Sequence, residues 1–350
     1  MHLIPGRLIA LMAALAASSG PAVAQERVRD GGVHVDVLHD LRRELAGVAH
    51  LTDQGRDFRE EQVDRQTRTL AIGPTGSLDL ANLSGDIRVR AGAGSQATVE
   101  IVRTSRGRTD ADARLGLDEV VVEVIEENGG ARVRTRYPEN RRRSPYSVSV
   151  SYTVTAPAGA RLTAHTVSGD VTIDGIEGDV AIDVISGDIG VTGARSTLVA
   201  KAVSGDVTIA DVETTAGVEV TTINGDVMLR RVRADRLRVN GVSGNITATG
   251  ITASGADLKS MAGDVSYSGD ISGSGRYEFQ AHSGDLDLVL SGSAGFDLEA
   301  RTFNGEIRPA SDLQMTNVST SRRAFRGRVG GGGAVVEATT FSGDIVIRRR

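Results

Sequence analysis

The feature that most constrains this fold is a Ser-Gly-Asp turn that recurs about every nineteen residues through the C-terminal two thirds of the chain. From residue 160 onward its glycines are separated by 18, 18, 20, 19, 19, 21 and 21 residues, and a last copy follows after 38. That final gap is two periods, which predicts one degenerate coil around Phe325-Arg326-Gly327. The predicted turn glycines are Gly85, Gly169, Gly187, Gly205, Gly225, Gly244, Gly263, Gly284, Gly305 and Gly343.

Each copy of the repeat predicts two short strands joined by a tight turn. In one copy Val218, Val220 and Ile223 precede the turn, and Val227 and Leu229 follow it. Alternation of this kind leaves each strand apolar on one face. A unit of about nineteen residues cannot bury such a face alone, whereas stacked units bury a continuous stripe.

The stacking of these units predicts the fold class. If each strand pairs with the same strand of the next coil, the chain forms an all-β, parallel β-solenoid of about nine to ten coils. At roughly 4.8 Å per coil the rod would be about 45 to 50 Å long. A meander of antiparallel hairpins is the alternative.

The N-terminus has the features of a cleaved export signal. Arg7 precedes an apolar run from Leu8 to Ala17, and Ala22-Val23-Ala24 fits the small-x-small pattern that signal peptidases cut. The apolar run is too short to span a bilayer, although an uncleaved anchor is the alternative. We therefore predict a signal peptide over residues 1–24, cleavage after Ala24, and a soluble periplasmic or extracellular protein with no transmembrane segment.

Three further regions are predicted. Residues 25–68 form a charged leader, partly helical or disordered, with a linker from Gln54 to Gln66. Residues 69–158 form an N-terminal β region with a short helix from Asp110 to Leu117 and a hairpin turning at Asn128-Gly129-Gly130. Residues 159–350 form the solenoid. Within the leader an amphipathic helix is indicated by Val35, Leu38, Leu41, Leu45, Val48 and Leu51.

Composition excludes several classes of protein. The chain has no cysteine, which excludes disulfides, thiolate metal sites and a lipid-modified N-terminal cysteine. Removing the signal peptide takes one of the 40 basic residues and none of the 45 acidic ones, so the mature charge is −6. That mild balance argues against nucleic acid as a partner.

The serial turns resemble those of a known family. The segments that carry the resemblance are Leu83 to Val89, the lead-in Ala156 to Leu162, and the repeated Val-Ser-Gly-Asp-Val turns. They are similar to the bacterial putative-adhesin family of β-strand-repeat domains of unknown function, over about residues 70 to 350. The resemblance implies an exported, β-helical, non-enzymatic surface or envelope protein, and it supplies no catalytic residues. Asn245, Glu306 and Ala262 depart from the turn pattern.

The aspartates of the turns are the candidate site. In a parallel solenoid they would stack along one edge, where a calcium-binding edge is conceivable because neighbouring carboxylates repel unless they are screened or bridged. The structural alternative is that each aspartate accepts backbone N–H bonds within the turn, as Asn245 also could. These residues are Asp170, Asp188, Asp206, Asp226, Asp264, Asp285 and Asp344.

Aromatic and arginine residues offer weaker candidates. The aromatic residues of the last coils could bind a sugar or a protein, but Phe303 and Phe341 hold the apolar position before the turn, which predicts core packing. Arginine clusters at 141–143, 322–323 and 348–350 could contact anionic groups, or lie in solvated loops. The aromatic residues concerned are Tyr277, Phe279, Phe296, Phe303, Phe325 and Phe341.

No motif predicts an enzyme or a cofactor. The cluster of His34, Asp36 and His39 fits no standard metal spacing, and the run Gly330 to Gly333 lacks the Lys-Ser/Thr of a phosphate loop. That glycine run reads as a loop between the last two coils.

Three functions fit this sequence. The first is a non-enzymatic exported scaffold or adhesin that offers long faces to an unknown protein or glycan surface. The others are a periplasmic envelope-stress or scaffold protein and a β-helical glycan-active enzyme. A monomer is predicted, with the N-terminal β region covering one end of the rod and Arg348 to Arg350 protecting the other.

Overall fold

The computed structural model describes residues 58–138, 144–310, 313–321 and 323–350. The chain divides into two units, Met1–Gln54 and Gly55–Arg350, and every described residue belongs to the second. The predicted signal peptide, the leader helix, the histidine cluster and the arginines at 141–143 lie outside the described residues. No helix among the described residues has the length and apolarity needed to cross a bilayer.

The described residues form 24 strands and one helix, α1 (Asp110–Glu119), which follows β4. In chain order the strands are β1 Glu60–Leu70, β2 Ser77–Ser84, β3 Ile87–Gly92, β4 Ala97–Gly107, β5 Val121–Glu127, β6 Gly130–Arg136, β7 Tyr146–Pro157, β8 Arg161–Ser168, β9 Val171–Asp174, β10 Val180–Ser186, β11 Ile189–Thr192, β12 Leu198–Ser204, β13 Val207–Glu213, β14 Gly217–Asn224, β15 Val227–Ser243, β16 Ile246–Ala262, β17 Val265–Ser283, β18 Leu286–Ser291, β19 Gly295–Asn304, β20 Ile307–Pro309, β21 Met315–Thr320, β22 Ala324–Val329, β23 Gly333–Ser342 and β24 Ile345–Arg349.

These strands build the predicted parallel solenoid. β8, β10, β12 and β14 pair in parallel one coil apart, and so do β9, β11, β13 and the first part of β15. The register repeats without slippage, so that Ser168, Ser186 and Ser204 stand opposite one another. The fold-class prediction is confirmed, and the parallel pairing excludes the antiparallel meander.

Alternation of side chains produces the core. In β12, Leu198, Ala200 and Ala202 are buried while Val199 and Lys201 face outward. After the turn, Val207 and Ile209 of β13 are buried as well. The same period-two pattern in every coil makes one continuous apolar core along the stack.

The middle coils have a third side, which the two-strand prediction did not include. Beyond the second strand of a coil, Val212 pairs with Val232 and Arg233 with Thr252. The corner leading to this side has positive φ at Gly175, Asp211 and Arg231. The predicted unit was therefore incomplete, because a short stretch with only one or two buried residues shows no clear period in the sequence.

The first coil is separated from the second by an insertion that covers one end of the rod. β2 and β3 form this coil around Gly85, and they pair in parallel with β8 and β9. On their other edges lie β6 and β7, which are joined to β5 and β4 in antiparallel pairs. The predicted hairpin and helix are confirmed, with Thr109 as the helix N-cap. The solenoid thus begins at Ser77, before the predicted boundary at residue 159.

The predicted linker from Gln54 to Gln66 and the leader boundary at residue 68 are wrong, because β1 begins at Glu60. It pairs with β4 over its whole length and is the outermost strand of this part of the sheet. Both of its faces are largely exposed until Leu70, which is 1% exposed. A strand of this kind shows no apolar alternation, so the sequence pattern did not reveal it.

The C-terminal coil is inserted between two earlier coils. β23 pairs in parallel with both β17 and β19, and β24 pairs with both β18 and β20. Gly343 therefore stacks between Gly284 and Gly305. The loop that leads into β23 crosses β19 so closely that a Cβ on Gly295 would lie 2.8 Å from the backbone nitrogen of Gly332.

This insertion corrects three predictions. No degenerate coil exists around Gly327, because β22 runs antiparallel to β19 and, with β21, covers the far end of the rod. The glycine run leads from this covering strand into the inserted coil. Arg348 to Arg350 do not protect an end: Arg348 Nη2 contacts Asp287 Oδ1 at 2.7 Å within the stack. The repeat period did not show which coils are neighbours.

Candidate functional site

The stacked turns form one straight edge of the rod, which we call the turn edge. All ten turn glycines have positive φ, between 115° and 157°. A Cβ on Gly205 would lie 2.1 Å from the carbonyl oxygen of Gly187 in the preceding coil, and the other stacked turns are similarly tight. Glycine is needed here both for its φ and because successive backbones touch.

The turn aspartates stand in a single line along this edge, which we call the acidic column. Each Oδ1 accepts a hydrogen bond from the backbone N–H of the same position in the next coil, at 2.7 to 3.2 Å. Asn245 takes part by accepting through its Oδ1, and the Glu306 N–H donates the last bond of the line to Asp344 Oδ1. The structure thus brings the seven candidate aspartates together and gives each a structural role.

The acidic column does not form a closed metal site. Across the described ranges, no group of three or more His, Asp or Glu side chains is arranged to hold a metal ion. At the far end Arg308 pairs with Glu306 at 2.8 Å and with Asp344 at 3.2 Å. The calcium edge remains a prediction to be tested by titration.

Beside the acidic column runs a line of nine apolar side chains and one histidine, each one residue before the Ser, Asn or Ala of a turn, which we call the apolar column. Leu83 and Val167 at its near end are buried. Farther along the rod the members are half-buried or exposed, and the exposed fraction reaches 51% at Met261 and 55% at Phe303. In spatial order the column is Leu83, Val167, Ile185, Val203, Ile223, Val242, Met261, His282, Phe341 and Phe303.

The prediction that Phe303 and Phe341 pack in the core is wrong. Phe341 is 48% exposed, whereas its neighbour Thr340 is 2% exposed. The period of two explains this, since Val336 and Ala338 point inward and residue 340 must follow them. Counting every second position along each strand from its buried residues would have placed both phenylalanines on the outside. The core prediction holds for Tyr277, Phe279, Phe296 and Phe325, which are buried.

Three rings of the apolar column stack on one another at its far end. The His282 and Phe341 ring centroids are 5.0 Å apart, and those of Phe341 and Phe303 are 4.8 Å apart and nearly parallel. The guanidinium of Arg323 lies 4.7 Å from the Phe303 centroid and covers the end of the stack. This cluster depends on the inserted coil. Phe341, which belongs to that coil, lies between His282 and Phe303, which are closer to each other in sequence than either is to Phe341.

A groove near the same end is less suited to ligand binding. Its volume is about 370 Å³, and its walls come from β19, β21, β22 and β23. Four of the five charged side chains that line it are paired with each other: Arg328 contacts Asp297 at 2.6 Å, and Arg326 contacts Glu299 at 2.7 Å. The fifth, Glu337, pairs with Arg276 at 2.8 Å. The Arg326 guanidinium, through its hydrogen bond, lowers the pKa of the Glu299 carboxyl. The groove is therefore held by internal ion pairs, and the turn edge is the better candidate.

Comparison with known proteins gives a family and several distant structures. The family model described as Toastrack DUF4097 matches residues 75–348. A structure from Bacteroides fragilis NCTC 9343 described as a "putative adhesin" has 14% identity, covers 82% of this chain and 97% of its own, and has a TM-score of 0.39. A "putative lipid binding protein" from Parabacteroides distasonis ATCC 8503 has 14% identity, covers 81% and 96%, and has a TM-score of 0.41.

A third structure, a "putative cell adhesion protein" from Clostridium sporogenes ATCC 15579, has 9% identity, covers 83% and 100%, and has a TM-score of 0.22. No curated protein matches the chain significantly.

Proposed function

This chain belongs to the Toastrack DUF4097 family, and on that premise we propose that it is an exported, non-enzymatic scaffold that binds a partner along its turn edge. The family match extends over nearly the whole solenoid. The earlier resemblance to a β-strand-repeat family of unknown function is thereby confirmed at the level of the family. The binding role and the compartment are our proposal.

The observation that carries the proposal is the exposed apolar column. Val203, Val242, Met261, Phe341 and Phe303 are between 36% and 55% exposed and stand in one line on successive or nearby coils. Single exposed apolar residues are ordinary on protein surfaces, but a contiguous line of them marks an interaction surface. Extended repeat proteins use such continuous surfaces for binding.

Export is supported by the N-terminal sequence, in which Arg7, the apolar run from Leu8 to Ala17 and Ala22-Val23-Ala24 follow the pattern of a cleaved signal peptide. Expressed with residues 1–24 in a Gram-negative host, the protein should be recovered from the periplasm or medium with Gln25 as its first residue. N-terminal sequencing of the purified protein tests this. Recovery only from the cytosol with Met1 intact would refute export.

Binding should be tested on intact cells of the source organism with fluorescently labelled mature protein. We expect saturable binding that the unlabelled protein competes away and that the double variant Phe303→Ser/Phe341→Ser weakens at least tenfold. Val121→Ser is the matched control, because Val121 is 49% exposed but lies in β5 at the other end of the rod. Equal binding by the double variant would refute the role of the turn edge.

Protease treatment of intact cells separates a surface adhesin from a periplasmic scaffold. Digestion of the protein before the cells are lysed supports the adhesin, whereas protection until lysis supports the scaffold. The enzyme alternative is tested by incubating the protein with polysaccharides and measuring new reducing ends. The mature protein is expected to be a monomer by light scattering.

A further inference from the structure

We propose that the exposed part of the turn edge docks an amphipathic α-helix of a partner protein, with its apolar stripe on the apolar column and its lysines or arginines facing the acidic column. This inference rests on the proposed binding function and names the chemistry of the partner. The surface concerned, which we call the docking strip, spans the seven coils from Val203 to Phe303. It includes the apolar-column residues Val203, Ile223, Val242, Met261, His282, Phe341 and Phe303.

The spacing of the docking strip fits a helix better than a strand. Neighbouring coils lie about 4.8 Å apart, so seven coils span about 29 Å. Residues on one stripe of a helix recur every turn, about 5.4 Å, so six turns span about 32 Å. Residues on one face of an extended strand recur about every 6.6 Å and would span about 40 Å. A helix of about 22 residues therefore keeps one side chain near each coil.

The charge of the docking strip selects a basic partner. In six of the seven coils a turn acid follows the apolar-column residue by three positions, so both lie on the same turn; the coil of Val242 has Asn245 instead. The acids use Oδ1 for the bond to the next coil's N–H, which leaves Oδ2 available to a partner's cation. Within the docking strip Glu306 and Asp344 pair with Arg308, so Asp206, Asp226, Asp264 and Asp285 supply the charge for docking.

The stacked rings strengthen the apolar end of the strip. Because His282, Phe341 and Phe303 lie face to face, their edges form one continuous surface without gaps. The stack also holds the rings in place before a partner arrives, so less side-chain entropy is lost on binding. Rigid aromatic residues of this kind are typical of the residues that dominate binding energy.

The test uses two fluorescein-labelled synthetic peptides of 22 residues. Both carry one leucine stripe with alanine and glutamine on the far side; the flanking positions are lysine in one peptide and glutamate in the other. Fluorescence anisotropy with the mature protein should show the lysine peptide binding at least tenfold more tightly. Its affinity should fall as NaCl rises from about 50 to 500 mM, because salt screens exposed charges. Circular dichroism should show helix forming on binding.

Two sets of variants test the two columns separately. Phe303→Ser/Phe341→Ser should weaken binding of the lysine peptide at least tenfold, with Val121→Ser as its control. Asp226→Asn/Asp264→Asn/Asp285→Asn should weaken binding of the lysine peptide several-fold and strongly reduce the preference for lysine over glutamate, because Asp206 is then the only acid of the docking strip that has no ion pair within the described part of the chain. Asparagine keeps the turn hydrogen bond, as Asn245 shows in the native chain.

The matched charge control is Asp118→Asn/Asp174→Asn/Asp235→Asn, which neutralises three exposed aspartates away from the turn edge. Melting temperature and far-ultraviolet circular dichroism establish that each variant is folded.

Several results would overturn the inference: equal affinity for both peptides, no effect of either set of variants, binding of the protein to phosphatidylcholine vesicles in place of the peptides, or self-association through the strip. Cell binding that survives while peptide binding fails refutes the helical partner alone. Peptide binding without cell binding refutes the proposed envelope function and leaves the docking strip standing.

Discussion

Replacing Gly205 by alanine should destabilise the rod strongly, because two separate costs act at this position. The φ of Gly205 is +135°, a conformation that costs an L-residue about 1 to 3 kcal/mol. The added Cβ would also lie 2.1 Å from the Gly187 oxygen and 2.6 Å from its carbonyl carbon. Both backbones are held by 3.0 Å hydrogen bonds, from Gly187 N–H to Ser204 and from Gly205 N–H to Asn224, so neither moves freely. Relieving the overlap costs about another 1 to 3 kcal/mol.

The total is about 4 kcal/mol, which corresponds to a fall in melting temperature of about 6 °C for a domain of this size. Thermal unfolding followed by circular dichroism measures it, with urea unfolding as a second readout. The expected result is one cooperative transition at lower temperature, or an early transition confined to the coils around residue 205, since repeats interact mainly with their neighbours.

Two other glycines separate the causes. Gly193 has φ +72°, but its nearest neighbour would be Gly175 Cα at 3.4 Å, so Gly193→Ala should cost only about 1 kcal/mol. Gly190 has no positive φ and open space to 4.0 Å, so Gly190→Ala should be neutral or stabilise by about 0.5 kcal/mol. If the Gly205→Ala and Gly193→Ala variants have the same melting temperature, the close approach of the two backbones is not the cause of the destabilisation. If all three melt within 2 °C of the native protein, the reasoning fails.

Four further predictions follow from the core, the inserted coil, one ion pair and the acidic column. Tyr267→Phe should stabilise the protein by about 1 kcal/mol in thermal unfolding, because its buried hydroxyl finds no hydrogen-bond partner among the described residues; Tyr277→Phe should cost about 1 kcal/mol, because its hydroxyl donates to a backbone oxygen at 2.6 Å. Unchanged melting of both would contradict this. Deleting residues 333–350 removes β23 and β24 and should expose the edges of β17 and β18 with which they pair. The truncated protein should form oligomers in size-exclusion chromatography and exchange the amide protons of β17 and β18 faster; a monodisperse truncated protein would count against the insertion. The hydrogen bond from Arg103 lowers the pKa of the Asp64 carboxyl, so this pair stabilises the fold above the ordinary pKa of aspartate and loses its effect as the pH falls through the lower folded value. At pH 7 Asp64→Asn should therefore lower the free energy of unfolding by less than about 1 kcal/mol, and this difference from the native protein should shrink below pH 4. A difference that does not change with pH would refute the prediction. Millimolar calcium should raise the melting temperature by less than 1 °C if the acidic column is structural, and a larger rise would support the calcium edge.

Several parts of the fold could be read directly from the sequence, because local physics fixes them. The turn glycines mark positions with positive φ, and the alternation around them identifies strands with one apolar face. Asn128-Gly129 specifies a hairpin whose residues have φ of 34° and 80°, and Thr109 caps the only helix in the described part of the chain. The outward position of Phe341 could also have been predicted, because the alternation of side chains along a strand can be followed in the sequence alone.

The tertiary structure alone decided which coils are neighbours. Every coil presents nearly the same backbone edge and the same turn, so the sequence does not distinguish a stack in chain order from one in which the Gly343 coil lies between those of Gly284 and Gly305. That choice depends on long-range contacts: the crossing of Gly295 by the loop at Gly332, and the antiparallel strand β22 on the far edge of β19. The turn edge was determined by the sequence, whereas its three stacked rings were decided only by the tertiary structure, because Phe341 lies between His282 and Phe303 only when the last coil is inserted between theirs.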